Sequence, residues 1–162
     1  MNKKGFTLVE LLAVIAILAI LVIIALPNVM GMFNTAKQNS FNTEVKEIYK
    51  TAQQKWMLDN MSQANAEKTY TRDSMTKELS GRADIKFIIH FNKAGKVTSY
   101  RASDGTYWYA SNSTDLQVED IKDSGKWADS TKPKCKASQS DSDYSSCADH
   151  TAFMNAYAVT PE

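Results

Sequence analysis

Residues 6–26 read FTLVELLAVIAILAILVIIAL, an apolar run of 21 residues that only Thr7 and Glu10 interrupt. A helix of that length spans about 31 Å, which matches the hydrocarbon core of a bilayer. The run is longer than the apolar region of a secretory signal, and no small-residue cleavage pattern follows it. A membrane anchor explains the length, and Lys3 and Lys4 would keep its start on the cytoplasmic side.

A plain membrane anchor does not explain Glu10. An ionisable side chain within a membrane helix is costly and therefore indicates a function. Residues 1–12, MNKKGFTLVELL, combine a short basic leader with Gly5, Phe6 and a glutamate four residues after the phenylalanine. This pattern resembles the class III signal of type IV pilins and of the pseudopilins of type II secretion and competence systems. The resemblance is dense near the N-terminus and only architectural beyond Gly31.

The resemblance implies a processing route and partners. A prepilin peptidase in the membrane would cleave between Gly5 and Phe6 and then methylate the new amine of Phe6. The mature chain would enter a homo-oligomeric helical filament through a pilus assembly platform, together with other pilins. Glu10 would be the counter-ion of the Phe6 amine, because pairing offsets part of the cost of two charges in hydrocarbon. Pairing within one helix and pairing between neighbouring subunits both stay open.

Pro27 and Gly31 close the membrane segment. Proline lacks the amide hydrogen that would bond the carbonyl of Ile23, so Pro27 either ends the helix or kinks a longer one. We favour a kink, because apolar residues continue at helical spacing beyond the proline. These residues are Met30, Phe33, Phe41, Val45, Ile48, Ala52 and Trp56. The stripe predicts one helix from Phe6 to about Asp59, whose outer half packs on a sheet.

Residues 85–91, IKFIIHF, predict a strand with one apolar face. Ile85, Phe87, Ile89 and Phe91 alternate strictly, and successive side chains of a strand point to opposite sides of the sheet. The next four residues, NKAG, predict a turn.

A hairpin is predicted around Asp104-Gly105, one of the strongest two-residue turn signals. Its strands are 97–102 and 106–111, and 116–121 is a candidate fourth strand. The implied register pairs Tyr100 with Tyr109 and Arg101 with Trp108. The predicted fold class is α+β, a long N-terminal helix packed on an antiparallel sheet of three to four strands. The resemblance implies the same, the type IV pilin fold.

The predicted organisation has three parts. They are a cleaved leader at 1–5, a transmembrane and polymerisation helix at 6–30, and a globular head at 31–162. The head is expected to contain an amphipathic helix at 31–59, an αβ-loop at 60–84, the antiparallel sheet at 85–121 and a C-terminal region at 122–162.

Two cysteines, Cys135 and Cys147, lie 12 positions apart near the C-terminus. In an exported chain they are expected to form a disulfide, which resembles the disulfide-bounded C-terminal region of many type IV pilins. The alternative is a zinc site that adds His90 and His150. Its spacing fits no recognised finger, and an exported site would face oxidation.

No motif in the chain predicts an enzyme. There is no nucleophile elbow, phosphate loop, dinucleotide fingerprint or HExxH. A net charge of +1 argues against a nucleic-acid-binding domain. Tyr107, Trp108 and Tyr109 could form a stacking platform for nucleic acid. The cations of such a platform would be Lys93, Lys96 and Arg101. Strand-forming aromatics packed across a hairpin explain the three rings better. We expect no catalytic residue, no metal and no cofactor.

Charge is unevenly distributed in the predicted head. Residues 61–101 contain 8 Lys/Arg and 4 Asp/Glu, a net charge of +4. Residues 102–162 contain 5 Lys/Arg and 10 Asp/Glu, a net charge of −5. Two interpretations stay open: solvated surfaces that happen to differ, or complementary patches that set head-to-head contacts in a polymer.

Three functional hypotheses follow. In the first, the chain is made as a precursor in the inner or cytoplasmic membrane and becomes the subunit of an extracellular type IV pilus. Such a fibre would serve adhesion, twitching motility, aggregation or DNA uptake. In the second, the chain is a pseudopilin of a type II secretion or competence machine. In the third, it is a membrane-tethered binding domain that never polymerises, which leaves Glu10 and the Gly5-Phe6 junction unexplained.

Overall fold

The structure is a computed structural model, and every structural statement below concerns the part of the chain that it describes. The described residues are 5–62, 66–79, 81–111, 113, 115–122, 124–130, 133–135, 145–147 and 150–155. The helices are α1 (Leu8–Ser62) and α2 (His150–Asn155). The strands are β1 (Lys68–Thr71), β2 (Lys86–Phe91), β3 (Val97–Ser103), β4 (Tyr107–Ser111), β5 (Gly125–Lys126), β6 (Lys134–Cys135) and β7 (Ser145–Ser146). Two short 3-10 helices lie at Asp73–Met75 and Val118–Asp120.

The described chain forms two compact units, one up to Lys37 and one from Gln38 onward. Helix α1 contributes to both and contains Pro27 in its interior. The expectation that the helix continues past the proline is therefore confirmed. The helix starts at Leu8, two residues later than predicted, and ends at Ser62 rather than near Asp59.

In the second unit, α1 buries an apolar stripe against the sheet. The stripe consists of Phe41, Val45, Ile48, Tyr49 and Ala52, each at most 4% exposed. Their spacing of three and four residues places them on one helix face. The prediction extended this stripe back to Met30 and Phe33, which is wrong. Both side chains are 63% exposed and belong to the first unit, whose helix has no sheet beneath it.

The main sheet is antiparallel and has the strand order β1-β2-β3-β4-β5. The predicted α+β class is confirmed, but the count of three to four strands is wrong because β1 and β5 also join the sheet. Strand β1 lies in the segment expected to be the αβ-loop. It is held beside α1 by the Tyr70 hydroxyl, which donates to Asp59 at 2.8 Å. That hydrogen bond lowers the pKa of the Asp59 carboxyl.

The expected strand at 116–121 is also wrong, because Val118–Asp120 forms a 3-10 turn. The amide of Asp120 donates to the Gln117 carbonyl at 3.0 Å. The Asp120 carboxylate in turn accepts the Gln117 amide at 3.0 Å. This reciprocal cap satisfies backbone groups within the segment and favours the turn over a sheet ladder.

The β3–β4 hairpin is confirmed, but its predicted register is off by two residues. Tyr109 lies opposite Ala102, and Trp108 lies opposite Ser103. The turn is shifted because the Asp104 carboxylate accepts the amides of Thr106 and Tyr107 at 2.8 and 2.7 Å. Gly105, with φ of 84°, therefore takes the first central position of the turn, where a positive φ is required. A shift of two residues preserves the faces of every side chain.

The face of the sheet that meets α1 carries the core. The predicted alternation in β2 is confirmed, because Ile85, Phe87, Ile89 and Phe91 are all at most 1% exposed. Tyr100 on β3 is fully buried, and its hydroxyl donates to the Val45 carbonyl of α1 at 2.7 Å. This bond satisfies the one polar atom of a large buried side chain.

The opposite face of β3 and β4 is covered by residues from the C-terminal region. Phe153 of α2 is fully buried and packs edge-on against Trp108 and Trp127. The Arg101 guanidinium lies 5.8 Å from the centre of the Phe153 ring and donates to the Phe153 carbonyl at 3.0 Å. Burial lowers the pKa of Arg101, and the carbonyl and ring partly compensate for the desolvation of its charge.

Candidate functional site

The first unit presents an apolar helix whose large side chains are exposed. From Leu8 to Phe33 every large hydrophobic side chain is at least 43% exposed. The helix is long and apolar enough to cross a membrane. Its most apolar stretch of 18 residues has a mean hydropathy of 3.2, and no part of that stretch is buried. A water-soluble domain would hide such a surface in its core. The exposed surface therefore marks a segment for contact with lipid or with other apolar helices.

Thr7 and Glu10 form a reciprocal cap at the start of this helix. The Glu10 carboxylate accepts the Thr7 amide at 2.9 Å and the Thr7 hydroxyl at 2.7 Å. The Thr7 oxygen in turn accepts the Glu10 amide at 3.4 Å. This is a capping box, which satisfies backbone donors that the first helical turn leaves unpaired. The sequence interpretation missed the role of Thr7, although the signal T-x-x-E ahead of an apolar run was present.

The Gly5-Phe6 bond lies outside the helix, which begins at Leu8. Phe6 is 82% exposed, and a Cβ built on Gly5 would meet no described atom within 4 Å. The cap holds the Glu10 carboxylate against Thr7, the residue that follows Phe6. Cleavage after Gly5 would turn the backbone nitrogen of Phe6 into a free amine. The two predicted processing residues and the predicted counter-ion thus lie together at one helix terminus.

Pro27 and Gly31 lie in the continuous part of α1. The alternative in which Pro27 ends the helix is therefore contradicted. The Gly31 carbonyl accepts the Thr35 hydroxyl at 3.1 Å, in addition to its place in the helix. Such a side-chain bond to the preceding turn often accompanies a bend. The kink at Pro27 and Gly31 stays a prediction.

Cys135 and Cys147 are joined by a disulfide. The zinc alternative is contradicted, because both thiols are used in this bond. The two histidines have other partners nearby: His90 Nδ1 lies 2.8 Å from the Thr69 hydroxyl, and His150 Nδ1 lies 2.8 Å from the Ser103 hydroxyl. Among the described residues no group of three or more His, Cys, Asp or Glu side chains could hold a metal ion.

The disulfide belongs to one buried cluster with Phe153, so we expect its loss to loosen the C-terminal cover of the sheet. The Cys135→Ser/Cys147→Ser variant of the head (residues 31–162) should lose about 3 kcal/mol, the chain-entropy value for a loop of about 13 residues. Its melting temperature should fall by roughly 10 °C. Thermal unfolding monitored by tryptophan fluorescence measures the change, because Trp108 and Trp127 pack on Phe153. Two free thiols in cell-surface material would contradict the disulfide.

The aromatic hairpin does not form a surface for stacking bases. Tyr107 and Tyr109 are 4% and 5% exposed and face the core with Phe41 and Tyr100. Arg101, offered as a cation for a nucleic-acid platform, is itself buried. The preferred interpretation, aromatics packed across a hairpin, is therefore confirmed.

Comparisons with known proteins identify the N-terminal segment alone. Residues 1–26 match the family model described as the prokaryotic N-terminal methylation motif, which is characteristic of type IV pilin-like prepilins. No curated protein and no solved structure matches the chain. An exposed apolar helix within such a motif indicates a membrane-anchored precursor, and the type IV pilin-like family is structural rather than enzymatic. The chain carries the methylation motif of type IV pilin-like prepilins, joined to an α+β architecture consistent with the type IV pilin fold.

Proposed function

We propose that the chain is the structural subunit of an extracellular type IV pilus. The observation that carries the proposal is the combination, in one chain, of a methylation motif at residues 1–26 and an exposed apolar helix, followed by a unit with its own core. A membrane-tethered binding domain would also have a helix and a folded head, but it would have no use for the methylation motif.

In this proposal the helix has two successive partners. Lipid covers it in the precursor, and the helices of other copies cover it after assembly. Transfer from lipid to a helical bundle gains little hydrophobic energy, because lipid tails are as apolar as the side chains. Close packing and polar pairs must then favour the polymer. Glu10, near the start of the helix, is the acidic side chain available for such a pair in the first unit.

Shearing of cells that make the chain tests the proposal. We expect the sheared fraction to contain fibres that react with an antibody against the head, and fibre production to cease in cells that lack the prepilin peptidase. A chain found only in the cell envelope, with normal processing, would contradict the extracellular pilus. It would favour the pseudopilus of a secretion or competence machine.

A further inference from the structure

An open cleft of about 360 Å³ lies in the head, where α1 meets the segment that follows the Val118–Asp120 turn. Its lining residues are Asn39, Asn42, Thr43, Lys46, Ile121 and Lys122. The first four are spaced by three, one and three positions, which places them on one face of the helix. The cleft lies outside the N-terminal segment and touches the hydrophobic core at Ile121, and no function described above uses it.

The cleft is lined by two lysines, Lys46 and Lys122, that form no ion pair among the described residues. Other lysines of the head do find carboxylates, such as Lys55 with Glu78 at 2.8 Å. Two like charges beside one cleft repel each other, and a carboxylate between them would relieve that repulsion.

The walls of the cleft offer hydrogen bonds rather than apolar contact. The Asn42 amide oxygen is buried and has no partner among the described residues, an arrangement that is uncommon and unfavourable. The Thr43 hydroxyl donates to the Asn39 carbonyl at 2.9 Å and keeps its lone pairs for a further donor. A carboxylate with a neighbouring peptide N–H group would match the lysines and the hydroxyl of Thr43, which is exposed.

Two hydrogen bonds fix the far wall of the cleft to α1. The Gln38 amide donates to the Ser124 carbonyl at 2.5 Å, and the Tyr49 hydroxyl donates to the Leu116 carbonyl at 2.6 Å. These bonds hold the chain on both sides of Ile121, which is fully buried beneath the cleft. The cleft is therefore formed before a partner arrives, which lowers the entropic cost of binding.

The same chain supplies suitable carboxylates. Residues 102–162 contain 10 Asp/Glu against 5 Lys/Arg. Of these acids, Asp129 is exposed, and none of the ion pairs among the described residues includes it. Copies that meet through two different patches form an open helical filament when their rotation does not close into a ring, and opposite charges on one subunit provide such patches.

We propose that the cleft between Lys46 and Lys122 receives an acidic side chain of a second copy of this chain in the assembled fibre. The inference rests on the proposed function. Each exposed ion pair contributes little free energy. Salt at physiological concentration largely screens the attraction between exposed charges more than about 8 Å apart. The contact therefore sets the register of neighbouring heads, while the apolar helices supply the strength of the fibre.

Zero-length cross-linking of sheared fibres tests this contact. A carbodiimide condenses a lysine amine with a carboxylate that touches it: the new amide bond replaces the ion pair, and the carbodiimide takes up the lost water as a urea. We expect a covalent dimer in which mass spectrometry finds Lys46 or Lys122 joined to an Asp or Glu peptide. In fibres of mixed isotope-labelled and unlabelled copies, the two joined peptides should differ in label.

Lys46→Gln/Lys122→Gln fibres should lose this dimer, and Lys50→Gln fibres should keep it. Lys50 is a matched control because it is exposed on the same helix but does not line the cleft. Wild-type fibres whose dimers avoid both lysines, or join them to another protein, would overturn the inference and leave the proposed function intact. Absence of wild-type fibres would instead overturn the proposed function. The identity of the cross-linked peptides in wild-type fibres tests the inference even if the double variant makes no fibres.

Discussion

Replacement of Glu10 by glutamine is expected to lower fibre yield at least about tenfold and to leave the precursor in the membrane at its normal level. The yield should fall because the Phe6 amine then has no counter-ion, and an unpaired charge in an apolar interface is strongly destabilising. Glutamine keeps the size of the side chain and an oxygen that can accept the Thr7 hydrogen bonds. It removes only the negative charge. Membrane insertion should not suffer, since a neutral side chain is cheaper to bury in lipid than a carboxylate.

The Thr7→Ala variant is the control that separates charge from capping. It removes the hydroxyl that bonds Glu10 and leaves the carboxylate in place. Loss of a cap weakens a helix start by about 1 kcal/mol. Fibre yield in this variant should stay within about threefold of wild type, because the helix is long and its other contacts are unchanged.

Quantitative blotting of sheared fibres and membranes from both variants gives the comparison. Normal yield with Glu10→Gln together with a large loss with Thr7→Ala would mean that Glu10 acts through the cap and not through its charge. Equal, normal yields would show that neither role is needed for assembly.

The sequence predicted those helices and strands whose apolar residues recur at regular spacing. The apolar run at residues 6–26 and the stripe that includes Phe41 and Val45 both have helical spacing, and β2 alternates strictly. Strand β1 has no comparable signal, because only Tyr70 of its four residues is buried. It joins the sheet through backbone pairing with β2 and through Asp59 of α1, contacts that are distant in sequence.

Side-chain capping accounts for the other misplaced elements. The carboxylates of Asp104 and Asp120 each accept amides of their own turns, and these bonds shift a hairpin by two residues and replace a predicted strand by a 3-10 turn. Strand β5 has two residues, too few for any pattern. Its Gly125 is required by the Trp108 ring, which occupies the space of a Cβ.

The candidate site divides in the same way. Gly5, Phe6 and Glu10 form a local motif within residues 1–26, so the sequence alone suffices to predict their roles, and those roles stay a prediction. The cleft of Lys46 and Lys122 has no motif, because its walls come from segments about 75 positions apart in the sequence. Only the fold brings those lysines to one cleft.

Replacement of Gly5 by valine should abolish cleavage and leave the chain in the membrane as its full-length precursor. The residue lies outside the helix, and a Cβ there meets no described atom within 4 Å, so the substitution disturbs none of the described residues. We therefore expect its effect to arise where the peptidase binds the junction. The prediction depends on the need of that enzyme for a small residue before Phe6.

Intact-mass measurement decides this prediction. Wild-type fibre subunits should begin at Phe6 with a methylated amine, and loss of Lys3 and Lys4 changes the formal net charge from +1 to −1. Gly31→Val is the matched control, because a Cβ at Gly31 also meets no described atom within 4 Å. It should be processed normally, since it lies far from the junction along the helix. Assembled fibres that retain Met1–Gly5 would contradict cleavage at this site. They would also contradict the pairing of Glu10 with the Phe6 amine, because an uncleaved leader leaves no such amine.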